Sequence, residues 1–144
     1  MQAALEQAQS AFDRDEVPIG AVIVNRKTDD IVARASNRTR ELADPSAHAE
    51  ILAIREACGM AGAQRIPDMD LYVTLEPCPM CAAAISYARI HTVVIGADDP
   101  KSGGVLHGPA LYEHSAMHHK PCVEHGLYAN DSAALLKTFF KSKR

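Results

Sequence analysis

Two short runs restrict what this chain can fold into: His48-Ala49-Glu50 and, beyond an expected strand, Pro77-Cys78-Pro79-Met80-Cys81. Imidazole nitrogen and thiolate sulfur are ligands that zinc prefers in a tetrahedron. One His and two Cys make three ligands. A structural zinc usually has four protein ligands, whereas a catalytic zinc keeps one position for water. Three ligands with a carboxylate beside them therefore point to hydrolysis, and the fold must bring both runs to one point.

The spacing has a physical reading. Cys78 and Cys81 stand three apart at the start of an expected helix, so both face the same way. The partial positive charge of a helix N-terminus favours thiolate over thiol. His48 and Glu50 are harder, because two residues on an ideal helix point about 200° apart. They share a centre only if the metal sits over the helix end. With Asp44 as N-cap and Pro45 at the first helical position, His48 and Glu50 fall within or just beyond the first turn. Two helix N-termini are thus expected to converge on one zinc, held by His48, Cys78 and Cys81. Bound zinc lowers the pKa of its water to about 7. Glu50 is expected to take that proton as general base and to return it to the substrate and leaving group. Each residue alone has a plainer use: a packed or solvated His, a redox Cys-x-x-Cys after a strand, a solvated carboxylate. Their joint occurrence in this order favours the metal site.

The rest of the chain reads as one α/β domain over residues 1–144. Leu5, Ala8 and Phe12 recur at helical spacing, predicting a helix near 2–13. Ile19–Asn25 and Ile31–Ala35 read as a hairpin, and Leu71–Leu75 and Thr92–Gly96 as further strands. One helix is expected from Asp44, with Ile51, Ile54 and Cys58 as its apolar face and Gly59 and Gly62 at its end. A second runs from Pro77 to about Tyr87 and a third from Ser132 to Lys141. Asp98–His107 reads as a loop, and residues near Val123 as a short last strand. No run of about 18 apolar residues suggests a membrane span, and no secretory signal is visible. Glu6, Asp13 and Asp15 argue against a transit peptide, so a cytoplasmic location is expected. In that compartment Cys78 and Cys81 are better read as ligands than as a disulfide. Cys58 reads as a small buried residue, and Cys122 carries no signal.

The net charge of −3 is a poor global signature for nucleic-acid binding. The tail is basic, however, with Lys137, Lys141, Lys143 and Arg144. Such a patch holds phosphates locally, since screening limits its reach to about 8 Å at physiological salt. A solvated tail is the alternative. The histidines and Lys120 in the 114–120 segment are a further pool for RNA contact, or a surface loop.

The order H-x-E then P-C-x-x-C is the established signature of the zinc nucleobase deaminases. The resemblance extends over nearly the whole chain. Glu16-Val17-Pro18-Ile19-Gly20-Ala21-Val22, Asn37-Arg38 before Asp44–Glu50, Leu71–Cys78 and Phe139-Phe140 resemble the tRNA adenosine deaminases of the cytidine/deoxycytidylate deaminase superfamily. This resemblance implies a three-layer α/β/α cytidine deaminase-like fold with a five-stranded mixed sheet. It implies one zinc per subunit, a homodimer, and conversion of the wobble adenosine of an arginine tRNA anticodon to inosine. It further implies substrate contacts from Asn37, from Val17, Pro18 and Ala49, and from Asp99 on the loop that meets neighbouring nucleotides. The chain departs from the family at Asp98, where a basic or neutral residue is common; adjacent Asp98 and Asp99 would repel phosphate. Rival readings are a guanine- or cytosine-type deaminase of the same fold, a non-catalytic zinc module that grips RNA, and a thiol redox protein.

Overall fold

The computed structural model describes residues 1–144. Its elements are α1 (Gln2–Asp13), β1 (Gly20–Asn25), β2 (Ile31–Ser36), α2 (Ala49–Ala61), β3 (Met69–Leu75), α3 (Pro79–Tyr87), β4 (Thr92–Ala97), β5 (Cys122–His125) and α4 (Ala129–Ser142). The five strands form one mixed sheet in the order β2-β1-β3-β4-β5. β1 runs antiparallel to β2 and β3, while β3, β4 and β5 are parallel. The interior strand β4 is buried along its whole length, as a parallel strand covered on both faces must be. α2 and α3 cover one face, where Ala53, Ala57 and Ile85 join Ile23, Leu71, Val73 and Ile95 in the main core. α1 and α4 cover the other, and Phe12 meets Phe139 edge-on at 5.7 Å. This is the three-layer α/β/α fold implied by the resemblance. No helix is long and apolar enough to cross a membrane.

Three sequence expectations need correction. α2 starts at Ala49, not near Asp44. Asp44 Oδ1 instead accepts hydrogen bonds from the Ser46 backbone N–H (2.8 Å) and hydroxyl (2.7 Å), closing a tight turn that includes Pro45. α3 starts at Pro79, with Cys78 rather than Pro77 at its boundary. The buried helix faces are also different. α1 buries Ala4, Ala8 and Ala11, and α2 buries Ala49, Glu50, Ala53 and Ala57. Larger residues such as Leu5, Ile54 and Cys58 lie half-buried at the margins. Small residues face the sheet because the layers lie close: a Cβ at Gly20 would collide with the backbone of α1 at Ala4 and Ala8. Gly62, with φ of 61°, ends α2, and Gly59 lies inside the helix.

Candidate metal centre and its cleft

The shifted helix starts settle the orientation problem raised by His48 and Glu50. His48 is the N-cap of α2 and Cys78 the N-cap of α3, both with extended backbone. Neither side chain caps its own helix. Asn37 does so for α2, its Oδ1 accepting the Ala49 N–H at 2.9 Å, which leaves the His48 ring free. Cys81 follows in the first turn of α3. His48 Nδ1 lies 3.7 Å from Cys78 Sγ and 3.5 Å from Cys81 Sγ. All three ligand atoms lie within 4.8 Å of one another, and no fourth His, Cys, Asp or Glu joins them. Zinc–sulfur and zinc–nitrogen bonds of about 2.3 and 2.0 Å in a tetrahedron require a nitrogen–sulfur edge of about 3.5 Å. The donor set therefore fits a zinc ion with one corner left over.

The two thiols are driven in opposite directions. Cys78 is held far below the ordinary thiol value, at about 4, by a hydrogen bond from Cys81; His48 helps, against the opposing effect of burial. The same bond and burial push Cys81 upward. His48 is raised, chiefly by its bond to Cys78. Glu50 is buried, and its Oε2 has no hydrogen-bond partner. Burial raises Glu50 to about 7; its own backbone N–H opposes this, the Cys78 charge adds to it, and His48 partly offsets it.

A cleft of about 720 Å³ opens on this centre, lined by His48, Glu50 and Cys78 with Val17, Asp99 and Lys101. Phe140, Lys143 and Arg144 of the C-terminal segment line it too. Lys143 bridges back to Asp15, which also accepts from Arg40 at 2.5 Å. Of the expected substrate contacts, Val17 and Asp99 line the cleft. Asn37, Pro18 and Ala49 are buried and do not line it. Asp99 Oδ1 accepts the Lys101 and Ser102 N–H groups at 3.1 Å each, so that oxygen shapes its own loop. In the 114–120 segment, His114 and His119 bond the Pro109 and Ile90 carbonyls at 2.8 and 2.6 Å.

Two buried carboxylates escaped the sequence reading. Glu16 Oε1 accepts the Arg40 and Glu41 N–H groups at 2.9 and 2.8 Å, and its Oε2 the Thr39 hydroxyl at 3.3 Å. Glu76 accepts four backbone N–H groups, from Asp99, Val105, Leu106 and His107, together with His107 Nδ1. Burial alone would raise Glu76, but these donors outweigh it and hold the carboxyl below its usual value. A third missed residue, Tyr112, donates to the Ala82 carbonyl at 2.9 Å and braces the first turn of α3.

A three-layer fold with two helix N-caps and a buried glutamate around one point defines a deaminase of the cytidine deaminase-like fold. The family model of MafB19-like deaminases matches residues 1–144. The tRNA-specific adenosine deaminase of Agrobacterium fabrum is 54% identical, covering 100% of this chain and 93% of its own. That of Rickettsia bellii is 45% identical, covering 100% and 99%. A solved structure from a study of A-to-I editing by tRNA:A34 deaminases at the wobble position superimposes with a TM-score of 0.91 at 53% identity. It covers 94% of this chain and 96% of that one. A guanine deaminase from Nitrosomonas europaea has a TM-score of 0.83 at 21% identity over 96% of this chain and 81% of its own, a likeness of fold alone. The chain belongs to the tRNA-specific adenosine deaminase family, within the MafB19-like deaminases.

Proposed function

We propose that this chain hydrolyses adenosine to inosine at the wobble position of a tRNA anticodon, that of an arginine tRNA, with one zinc per subunit. The observation that carries this reading is the His48–Cys78–Cys81 triangle, sized for zinc, beside a buried Glu50 with an unpartnered oxygen. His48 Nδ1 and the two sulfurs would hold the ion. When bound, zinc supplies the Lewis acid that makes a water acidic enough to react near neutral pH.

The chain's own groups do the rest. Glu50 lines the cleft beside His48 and Cys78 with one carboxylate oxygen unpartnered, so it can both accept and donate a proton there. It takes a proton from the attacking water, passes one to the purine ring nitrogen, and then serves the departing amine. Water and adenosine become inosine and ammonia, with no net change at Glu50. The adenine must leave its stack to reach the cleft, which costs little in a single-stranded anticodon loop. Lys101 and Arg144 on the cleft wall offset the chain's overall acidity where a phosphate would lie. Asn37, with its carbonyl committed to Ala49, has its amide N–H groups left to donate to the base. Met60 and Tyr87, each 70% exposed at the ends of α2 and α3, favour a homodimer. We place the protein in the cytoplasm, with its tRNA.

The test is inosine formation in an anticodon stem-loop by the zinc-loaded chain, run beside free guanine, cytosine and adenosine. Inosine in the RNA alone is expected. Turnover of free guanine without turnover of the RNA contradicts the reading.

A further inference from the structure

The segment from Asp98 to His107 contains no helix or strand, yet it supplies a cleft wall through Asp99, Lys101 and Ser102. One side chain outside the segment ties its two ends together. Glu76 Oε2 accepts the Asp99 N–H at 2.9 Å and meets His107 Nδ1 at 2.7 Å. Glu76 Oε1 accepts the N–H groups of Val105, Leu106 and His107 at 3.2, 2.8 and 3.0 Å. The middle of the loop lies on the same carboxylate, and a Cβ at Gly103 would collide with it. Buried charge-assisted hydrogen bonds of this kind are among the stronger fixed contacts a loop can have.

We propose that Glu76 is a positioning residue for the RNA: by gathering backbone N–H groups from both ends of the 98–107 loop, its buried carboxylate fixes the cleft wall that carries Asp99 and Lys101. It thereby sets how firmly the nucleotides around the reacting adenosine are held, and leaves the hydrolytic step to Glu50 and the metal ligands. This rests on the tRNA reading above. The zinc ligands and Glu50 belong to α2 and α3, not to this loop, which is why binding is the property at stake. A rival route exists through Gly104, where a Cβ would come within 2.6 Å of Pro79 N; there the loop touches the start of α3.

Two variants separate these outcomes. Glu76→Gln keeps a carbonyl oxygen for the amides at 105–107 but sets an NH₂ group against the Asp99 N–H. Gly103→Ala presses on both the carboxylate and the Asp99 carbonyl without changing charge. The zinc-loaded full chain is assayed on the anticodon stem-loop, with zinc content and amide hydrogen exchange measured alongside. In both variants KM should rise about tenfold and kcat stay within about twofold of wild type. Zinc should remain at one per chain, and the Asp99 amide should exchange faster. An unchanged KM overturns the proposal, as does a fall in kcat with loss of zinc at constant KM, which would mean Glu76 acts through Cys78. If Glu76→Gln does not fold, Gly103→Ala decides through the Leu106 and His107 amides, which donate to the carboxylate: a KM rise with unchanged exchange there overturns the role of Glu76. Absence of wild-type inosine sinks the tRNA reading; wild-type inosine with unaltered variants sinks only the role of Glu76.

Discussion

Glu50 and Glu76 are both buried beside one cleft, and their surroundings drive them in opposite directions. Glu50 sits in the first turn of α2 with an oxygen that nothing satisfies, and burial carries it to about 7. Glu76 exposes as little surface but lies nearer the cleft mouth, and five donors surround it and hold it below the usual carboxylate range. Donor supply and depth together separate a carboxyl raised toward neutrality from one that stays charged and holds a loop.

The sharpest way to break this contrast is Glu50→Gln. Turnover should fall by about 10²–10⁴-fold with zinc retained. The melting temperature should hold or rise, because the change removes a buried charge with an unsatisfied oxygen. Activity within tenfold of wild type would remove Glu50 from the chemistry.

Removing Lys141–Arg144 should have a smaller effect. Arg144 and Lys143 line the cleft, so RNA binding should weaken and its salt dependence flatten. The slope of log affinity against log salt should shrink by about 0.7 for each phosphate that the tail no longer neutralises. An unchanged slope would take the tail out of the RNA-binding account.

The mildest effect concerns His107, whose bond with Glu76 raises its pKa above the ordinary imidazole value. A raised folded value means the contribution is complete below the unfolded value and fades as pH climbs through the folded one. Glu76, lowered, loses its part only as pH falls through its own depressed value. Amide exchange in the 105–107 stretch should therefore quicken on the alkaline side, beyond the intrinsic rise, and His107→Asn should abolish that extra step. A His107→Asn profile identical to wild type would show that the imidazole charge adds nothing.

Much of the architecture could be read from residue order. Alternating strands and helices, the hairpin and the residues of the His48–Cys78–Cys81 cluster all follow from local patterns. The start of α2 did not, because an Asp before Pro-Ser can cap a helix or close a turn with the same side-chain bond. Asp44 does the latter, and this places His48 at the helix boundary where its ring is free. The buried faces of α1 and α2 were misread for a related reason. Hydrophobicity marks large residues, whereas close layer packing selects alanine. Glu16 and Glu76 were invisible because their partners lie 23–31 residues away and are mostly backbone N–H groups, which leave no mark in a sequence.

The most direct test of the central claim is X-ray absorption at the zinc edge of the metal-loaded chain. The geometry requires two sulfurs at about 2.3 Å and two lighter atoms, one imidazole nitrogen and one water oxygen, at about 2.0 Å. A shell closed by a fourth protein ligand, or a chain that takes up no zinc with His48, Cys78 and Cys81 intact, would contradict it.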